Sequence, residues 1–110
     1  MEREQQRTVR RARRYRFAAR VELTDLEYET HLEERTTDIS LFGCGVATKN
    51  SFSIGAKLRL RITHKGSHFT AIGRIVYVRP YREMGIAFTQ IEENDQITLE
   101  KWISELRDQK

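Results

Sequence analysis

Arginine is concentrated at the start of the chain. Eight of the first twenty residues are arginine and none is lysine. The guanidinium group is planar and permanently charged, so it can contact phosphate, or the O6/N7 edge of guanine, through two donors at once. The arginines of the dense part of this segment are Arg10, Arg11, Arg13, Arg14 and Arg16. A solvated basic tail explains the same run equally well, so the run alone does not identify a ligand.

A second group of chemically useful residues follows the arginine segment. Asp38, Ser40 and Gly43 form the pattern Asp-x-Ser-x-x-Gly. A carboxylate can accept hydrogen bonds from the N1–H and N2–H groups of guanine, and a serine hydroxyl can bond to the backbone or to a ligand. Glycine permits a positive φ or a close backbone approach. Because turns in general use these residue types, the pattern alone is a weak signal.

The distribution of charge indicates an anionic partner. The formal net charge is +4, but the acidic residues lie mostly after the arginine segment. A basic segment on a nearly balanced body is typical of proteins that bind a phosphate-bearing ligand, nucleic acid or a membrane surface. The chain lacks a glycine-rich phosphate loop, a nucleophile elbow and paired Cys or His at metal-ligand spacing. We therefore expect no enzymatic activity, no metal and no cofactor.

Length and composition predict one cytoplasmic domain. One hundred and ten residues are enough for a single domain with its own core. No apolar run approaches the roughly 20 residues that span a bilayer, and the N-terminus lacks the apolar segment of a signal peptide. The single cysteine, Cys44, fits a reducing compartment, and we expect it to be a buried structural thiol. The three histidines are expected to be ordinary surface residues.

Alternation of apolar and polar residues predicts a series of short strands. The alternation begins at Tyr15 and places every second side chain as far as Val21 on one face. The strand from Lys57 to Thr63 alternates most clearly, and further strands are expected at 31–37, 45–48, 67–78 and 84–88. Turns are expected at 38–43, 50–55 and 65–66. The tail from about Asn94 predicts an amphipathic helix, whose apolar face comprises Leu99, Trp102, Ile103 and Leu106.

These elements predict a mostly β fold, a small six-stranded antiparallel barrel with a C-terminal helix over an open end or a seam. The strand at 67–78 is apolar on both faces, and strict alternation would place Ile75 and Tyr77 on one face and Val76 and Val78 on the other. We expect residues 1–14 to form an arginine-rich arm and residues 15–110 to form the barrel and helix.

The arm, the turn and the barrel together resemble the PilZ family of bacterial cyclic di-GMP receptors. Arg10 and Arg14 form an Arg-x-x-x-Arg pair, and the Asp-x-Ser-x-x-Gly pattern follows about two dozen residues later. Residues 73–78 are similar to the family's late core strand and residues 84–88 to its closing strand. The resemblance covers nearly the whole chain.

The resemblance implies a function and a set of site residues. In the family the two arginines grip the phosphates and guanines of the ligand, and the turn receives a guanine on the barrel surface. The implied function is a non-catalytic cyclic di-GMP receptor in bacterial second-messenger signalling, with an unidentified downstream protein partner. The implied binding residues are Arg10, Arg14, Asp38, Ser40 and Gly43, with Arg11, Arg13 and Arg16 as additional contacts.

Two departures from the family pattern affect this interpretation. Arg16 and Arg20 also satisfy Arg-x-x-x-Arg, but they would lie within the first strand, whereas Arg14 leads directly into it. Phe42 stands where the family often has another glycine. If that position requires a positive φ, phenylalanine there is strained.

Two alternative functions remain open from the sequence. The chain could be a PilZ-like module that binds protein and not nucleotide, for which Phe42 is the best support. It could also be a basic barrel that binds nucleic acid through its arm. The predicted strands offer few exposed aromatic pairs for base stacking, which disfavours nucleic acid.

Overall fold

The computed structural model describes residues 12–109. Arg10 and Arg11 therefore lie outside the described residues. Residues 12–109 contain seven strands and one helix. In order they are β1 (Tyr15–Arg16), β2 (Arg20–Asp25), β3 (His31–Ile39), β4 (Gly43–Ala47), β5 (Lys57–His64), β6 (Ser67–Arg79), β7 (Glu83–Gln90) and α1 (Glu93–Arg107).

Six of the strands close into an antiparallel barrel. Their order is β3-β2-β5-β6-β7-β4, and pairing between β4 and β3 completes the ring. The two-residue strand β1 pairs with β3 beyond the end of β2. Closure satisfies the backbone groups that an open sheet would leave at its edges. The prediction of a six-stranded barrel with a C-terminal helix is confirmed.

The barrel interior is filled by one face of each strand. In β5 the side chains of Leu58, Leu60 and Ile62 are fully buried, whereas those of Lys57 and Arg59 are exposed. This is the alternation that the sequence predicted, because successive side chains of a strand point to opposite faces. The strand pattern therefore located the core of the barrel correctly.

The predicted first strand is interrupted. Residues 17–19 leave the regular ladder, so that β1 and β2 are separate strands. The cause is Thr36 of β3, whose buried hydroxyl donates to the carbonyl oxygen of Phe17 and accepts from the amide of Ala19 at 2.9 Å. The prediction of a continuous strand was wrong. The face predicted to point into the core was correct, since Phe17, Ala19 and Val21 are all buried.

Helix α1 packs against β6 through an aromatic cluster. Trp102 is buried, and its ring centroid lies 5.5 Å from that of Phe17 and 6.3 Å from that of Phe69. His64 also contacts this cluster, with its centroid 4.7 Å from that of Phe17, so the expectation of an ordinary surface histidine was wrong here. Asp95 in the first turn of the helix accepts the amide of Thr70 at 2.9 Å. Helix α1 is therefore attached to the barrel at both its beginning and its middle.

Within residues 12–109, no helix has the length and apolar character that crossing a membrane requires.

We expect Thr36→Val to lower the free energy of unfolding by about 1–3 kcal/mol, because the buried groups of Phe17 and Ala19 lose their partner. Urea unfolding at equilibrium measures this loss. Thr36→Ser keeps the hydroxyl and should cost less than Thr36→Val. A valine variant as stable as the wild type would show that the hydroxyl does not hold the interruption in place.

Candidate functional site

The Asp-x-Ser-x-x-Gly segment forms a tighter turn than the sequence predicted. Strand β3 continues through Ile39, and the amide of Ser40 donates to the carbonyl oxygen of Gly43 at 2.9 Å. Only Ser40, Leu41 and Phe42 remain between the two strands. The expected turn at 38–43 is therefore a three-residue connection between β3 and β4, and Asp38 belongs to the strand.

Ser40 holds this connection together. Its side chain is 2% exposed, and its hydroxyl accepts the amide of Phe42 at 3.1 Å. The same hydroxyl lies 3.5 Å from the carbonyl oxygen of Gly43. A serine hydroxyl that bonds the backbone two residues later is a common turn device. In this structure Ser40 serves the backbone, and so fixes the shape of the turn.

Phe42 is not strained. Among the described residues, the non-glycine residues with positive φ are Glu29, Lys65 and Tyr81, and Phe42 is not one of them. The condition under which phenylalanine would be strained, a positive φ at this position, is therefore not met. The Phe42 side chain is 47% exposed, while its carbonyl oxygen accepts the amide of Phe88 at 2.8 Å. The backbone at this position thus accepts a side chain, and the ring points to the surface.

Gly43 is required for close packing and not for an unusual φ. It pairs with Ala87 of β7, and its φ is not positive. A Cβ at this position would collide with the backbone carbonyl oxygen of Ile86 and lie 3.3 Å from the Cα of Ala87. Because backbone atoms of a closed barrel cannot move aside cheaply, a side chain at Gly43 would disturb the β4–β7 pairing.

Asp38 joins the arginine segment to the barrel. Its Oδ1 accepts a hydrogen bond from Arg14 Nη2 at 2.7 Å and another from the amide of Gly45 at 3.0 Å. The side chains of Asp38 and Arg14 are 31% and 47% exposed, so solvent screens their ion pair and its contribution to stability is modest. Within residues 12–109 the second carboxylate oxygen of Asp38 has no hydrogen-bond partner.

Two β-bulges place side chains on the outer face next to this carboxylate. In the β3–β4 ladder, Thr36 is opposite Val46 and Asp38 is opposite Gly45, so Thr37 is the extra residue. A bulge reverses the alternation of the residues that follow it. Asp38 consequently faces outward and Ile39 faces the core.

The second bulge is in β6. Ile75 is opposite Ile86 and Tyr77 is opposite Gly85, which leaves Val76 as the extra residue. Ile75 is buried in the core, whereas Val76 is 51% exposed and Tyr77 lies at the surface of the barrel. The expectation that Ile75 and Tyr77 share a face was wrong because the bulge lies between them.

An open pocket of about 400 Å³ lies between the arginine segment, the turn and β6. Its lining residues are Ala12, Arg14, Ser40, Phe42, Gly43, Val76, Tyr77, Gly85, Ile86 and Ala87. Three of the predicted site residues, Arg14, Ser40 and Gly43, therefore line one pocket, and Asp38 joins them through its bond to Arg14.

Arg13, Arg16 and Arg20, the other described arginines of the first twenty residues, do not line this pocket. Arg13 stacks over the ring of Tyr15, with 5.5 Å between its guanidinium carbon and the ring centroid. Arg16 is exposed and pairs with Asp38 in the β1–β3 ladder. Arg20 forms ion pairs with Glu33 at 3.0 Å and Glu22 at 3.4 Å, away from the pocket. Of the two arginines that could end an Arg-x-x-x-Arg pair, Arg14 lines the pocket and Arg20 does not.

Tyr77 is a site residue that sequence reasoning missed. Its ring lines the pocket, and burial raises the pKa of its hydroxyl, as do the nearby carboxylates of Glu83 and Asp38. Arg14 and Arg79 act in the opposite direction on this pKa. A tyrosine in an apolar strand is typical of a core residue, and nothing in the residue types signals the bulge that turns it outward.

Cys44 is a buried structural thiol, as expected. It is fully buried, and burial, with a smaller effect of the Asp38 carboxylate, raises its pKa to about 12. The thiolate form needed for reactivity is therefore scarce at neutral pH.

Comparison of the sequence with known protein families identifies the family to which this barrel belongs. The sequence matches the PilZ domain family over residues 7–105. The chain belongs to the PilZ domain family. A search of curated protein sequences found no match.

Solved PilZ structures have the same fold as this chain. The PilZ domain of CeSA from a cellulose-synthesizing bacterium superposes with a TM-score of 0.70 at 15% identity, covering 86% of this chain and 98% of that one. The PilZ domain of Escherichia coli YcgR, solved with c-di-GMP, gives 0.73 at 16% identity, covering 89% and 91%. The MrkH–c-di-GMP complex of K. pneumonia gives 0.71 at 20% identity, covering 89% and 51%. This PilZ chain thus spans about half the length of MrkH.

We expect Gly43→Ala to lower the free energy of unfolding by about 1–3 kcal/mol, because its methyl group collides with the backbone of Ile86. The control is Phe42→Ala, next to it in the same turn, which removes a half-exposed ring and should cost less than about 1 kcal/mol. Chemical denaturation of both variants measures the difference. Equal stabilities would contradict the assignment of Gly43 to close packing.

Proposed function

We propose that this PilZ domain is a non-catalytic receptor for cyclic di-GMP, which binds in the pocket between Arg14 and the turn that follows Asp38. The observation that supports this most directly is the 2.7 Å contact between Arg14 and Asp38, residues 24 positions apart in the chain. It brings a guanidinium and a carboxylate together beside an open pocket. Two PilZ-containing neighbours, YcgR and MrkH, were solved with the same ligand.

The two charged groups complement different parts of the ligand. The carboxylate of Asp38 can accept from the N1–H and N2–H groups of a guanine, which present two donors side by side. The guanidinium of Arg14 can contact a phosphate or the O6/N7 edge of guanine through paired donors. Because the Arg14–Asp38 pair is partly exposed, little free energy is lost when each group turns to the ligand.

The pocket size fits part of the ligand. Small-molecule sites have volumes of about 300–1,000 Å³, and this pocket, at about 400 Å³, is near the lower limit. We propose that one guanine enters it, while the sugar–phosphate ring lies against the arginine segment. In this proposal Arg10 is the second gripping arginine, and Arg11, Arg13 and Arg16 are additional contacts on the same side.

The conformation of Phe42 weakens the alternative of a PilZ module that does not bind nucleotide. That alternative depended on a strained turn, and the Phe42 backbone has no positive φ. The exposed ring also lines the pocket, where it adds apolar surface and does not close the entrance. A downstream protein partner that responds to the bound ligand completes the proposed function.

Arg14→Ala and Asp38→Ala should each weaken cyclic di-GMP binding by about 10- to 100-fold. Each substitution removes a charge-assisted contact of about 1.5–3 kcal/mol. Calorimetric titration of the purified chain measures the affinity. Arg20→Ala is the matched control, because Arg20 bonds to Glu33 outside the pocket, and it should keep the wild-type affinity. Unchanged affinity in both Arg14→Ala and Asp38→Ala would refute the site.

Cyclic di-GMP should also stabilise the folded chain. At a free ligand concentration 100 times the dissociation constant, the expected gain is about 2.7 kcal/mol, seen as a rise in the thermal midpoint. Duplex DNA serves as the comparison, since binding through a basic segment alone would weaken steeply with added salt. No stabilisation by excess cyclic di-GMP, together with salt-sensitive binding of DNA, would favour the nucleic-acid alternative.

A further inference from the structure

Four residues form one row across the outer face of the barrel. Asp38 of β3 is opposite Gly45 of β4, Gly45 is opposite Gly85 of β7, and Gly85 is opposite Tyr77 of β6. Residues that are direct cross-strand partners point to the same face of a sheet. The row therefore has a carboxylate at one end, an aromatic ring at the other and two glycines between them.

Both end residues lean over the glycines. The three atoms nearest to a Cβ built on Gly85 are all ring carbons of Tyr77, each close enough to collide with it. A Cβ built on Gly45 would lie 2.5 Å from Thr37 Oγ1 and 3.2 Å from Asp38 Oδ1. The Tyr77 ring thus occupies the space above Gly85, and the Asp38 carboxylate occupies the space beside Gly45.

The need for glycine at these two positions comes from side chains of the site. Glycine inside a strand weakens it, and often marks a place where another group approaches closely. At Gly43 an added Cβ would collide with a backbone carbonyl oxygen, and at Gly73 with the side chain of Ile86 and the carbonyl oxygen of Ala87, so these two glycines serve the packing of the barrel. At Gly85 the colliding atoms belong to the Tyr77 ring. At Gly45 the collision is with Thr37 Oγ1, and Asp38 Oδ1 is crowded.

We propose that Gly45 and Gly85 are positioning residues of the ligand site. Because neither glycine has a side chain, Asp38 and Tyr77 can both lean over this part of the sheet. The space between their side chains is the site for a flat base. The edge of the base bonds to Asp38 and one side of it packs against the Tyr77 ring. This inference rests on the proposed binding of cyclic di-GMP and extends it, by assigning a role to two glycines and an aromatic ring outside the arginine pair and the turn.

The strand order supports the need for both glycines. In the closed six-stranded ring β3 and β6 are three strands apart in either direction, so Asp38 and Tyr77 can contact the same ligand only because both side chains lean over the strands between them. The Asp38 carboxylate and the Arg14 guanidinium both lie near enough to the Tyr77 hydroxyl to shift its pKa. A methyl group on either glycine would push the corresponding side chain back from the space between Asp38 and Tyr77.

A double-mutant cycle between Gly85 and Tyr77 tests this inference. Cyclic di-GMP affinity is measured by calorimetry for the wild type, Gly85→Ala, Tyr77→Ala and the double variant. Tyr77→Ala should weaken binding about tenfold, because base–aromatic contacts are worth about 1–3 kcal/mol. Gly85→Ala should weaken binding by a similar factor, because its methyl group displaces the same ring. The double variant should bind no more weakly than Tyr77→Ala alone.

Gly45→Ala is the second arm of the experiment. Its methyl group would collide with Thr37 Oγ1 and crowd Asp38 Oδ1, and we expect at least tenfold weaker binding with the amide of residue 45 still present. Thermal unfolding of the free variants identifies any that have lost the fold. The Gly85–Tyr77 cycle tests the inference independently of Gly45, because the three atoms nearest to a Cβ at Gly85 all belong to the Tyr77 side chain.

The outcomes separate this inference from the function on which it rests. If the wild type does not bind cyclic di-GMP, both the proposed function and the positioning role of the glycines are refuted. If the wild type binds and Arg14→Ala does not, but folded Gly85→Ala and Gly45→Ala keep wild-type affinity, only the positioning role is refuted. The role of the ring is likewise refuted if Gly85→Ala weakens binding by the same factor with and without Tyr77.

Discussion

The site depends on the way β3 closes the barrel. This strand pairs with β1 and β2 on one edge and with β4 on the other, and the two ladders fit only with the extra residue Thr37. The bulge turns Asp38 outward while Ile39 continues into the core. One residue earlier, the buried hydroxyl of Thr36 holds the segment between β1 and β2. The closure of the barrel and the exposure of its carboxylate therefore have the same cause.

The barrel was predictable from the sequence where a single alternation governs a whole strand. In β5 the leucines and Ile62 alternate with basic residues from end to end, and their burial follows directly. In β3 and β6 the alternation of buried and exposed side chains is reversed at a bulge, at Thr37 and Val76 respectively. The residue types at Thr37 and Val76 are ordinary for strands, so nothing local signals the bulges. Their positions are set by partner strands distant in the chain, which a sequence pattern does not contain.

The chemical groups of the candidate site were predictable, but their partners were not. The sequence suggested that Ser40 could serve either the backbone or a ligand, and the geometry of the turn assigns its hydroxyl to the backbone. Whether Phe42 is strained depended on the φ of the turn, which the residue types do not fix and which is not positive. Tyr77 was missed for the same physical reason as the bulges: its outward orientation follows from its pairing with Gly85.

The two halves of the site differ in how firmly they are held. Asp38 receives a backbone amide from within the barrel, and the turn after it is fixed by Ser40, so this half is organised before any ligand arrives. Arg14 reaches the site from the segment before β1, and its side chain is about half exposed. Most of the entropy lost on binding must therefore come from the arginine side, because the barrel side has already lost its freedom on folding. Three residues after Arg14, the ring of Phe17 packs against Trp102, so β1 connects the less constrained half of the site to helix α1.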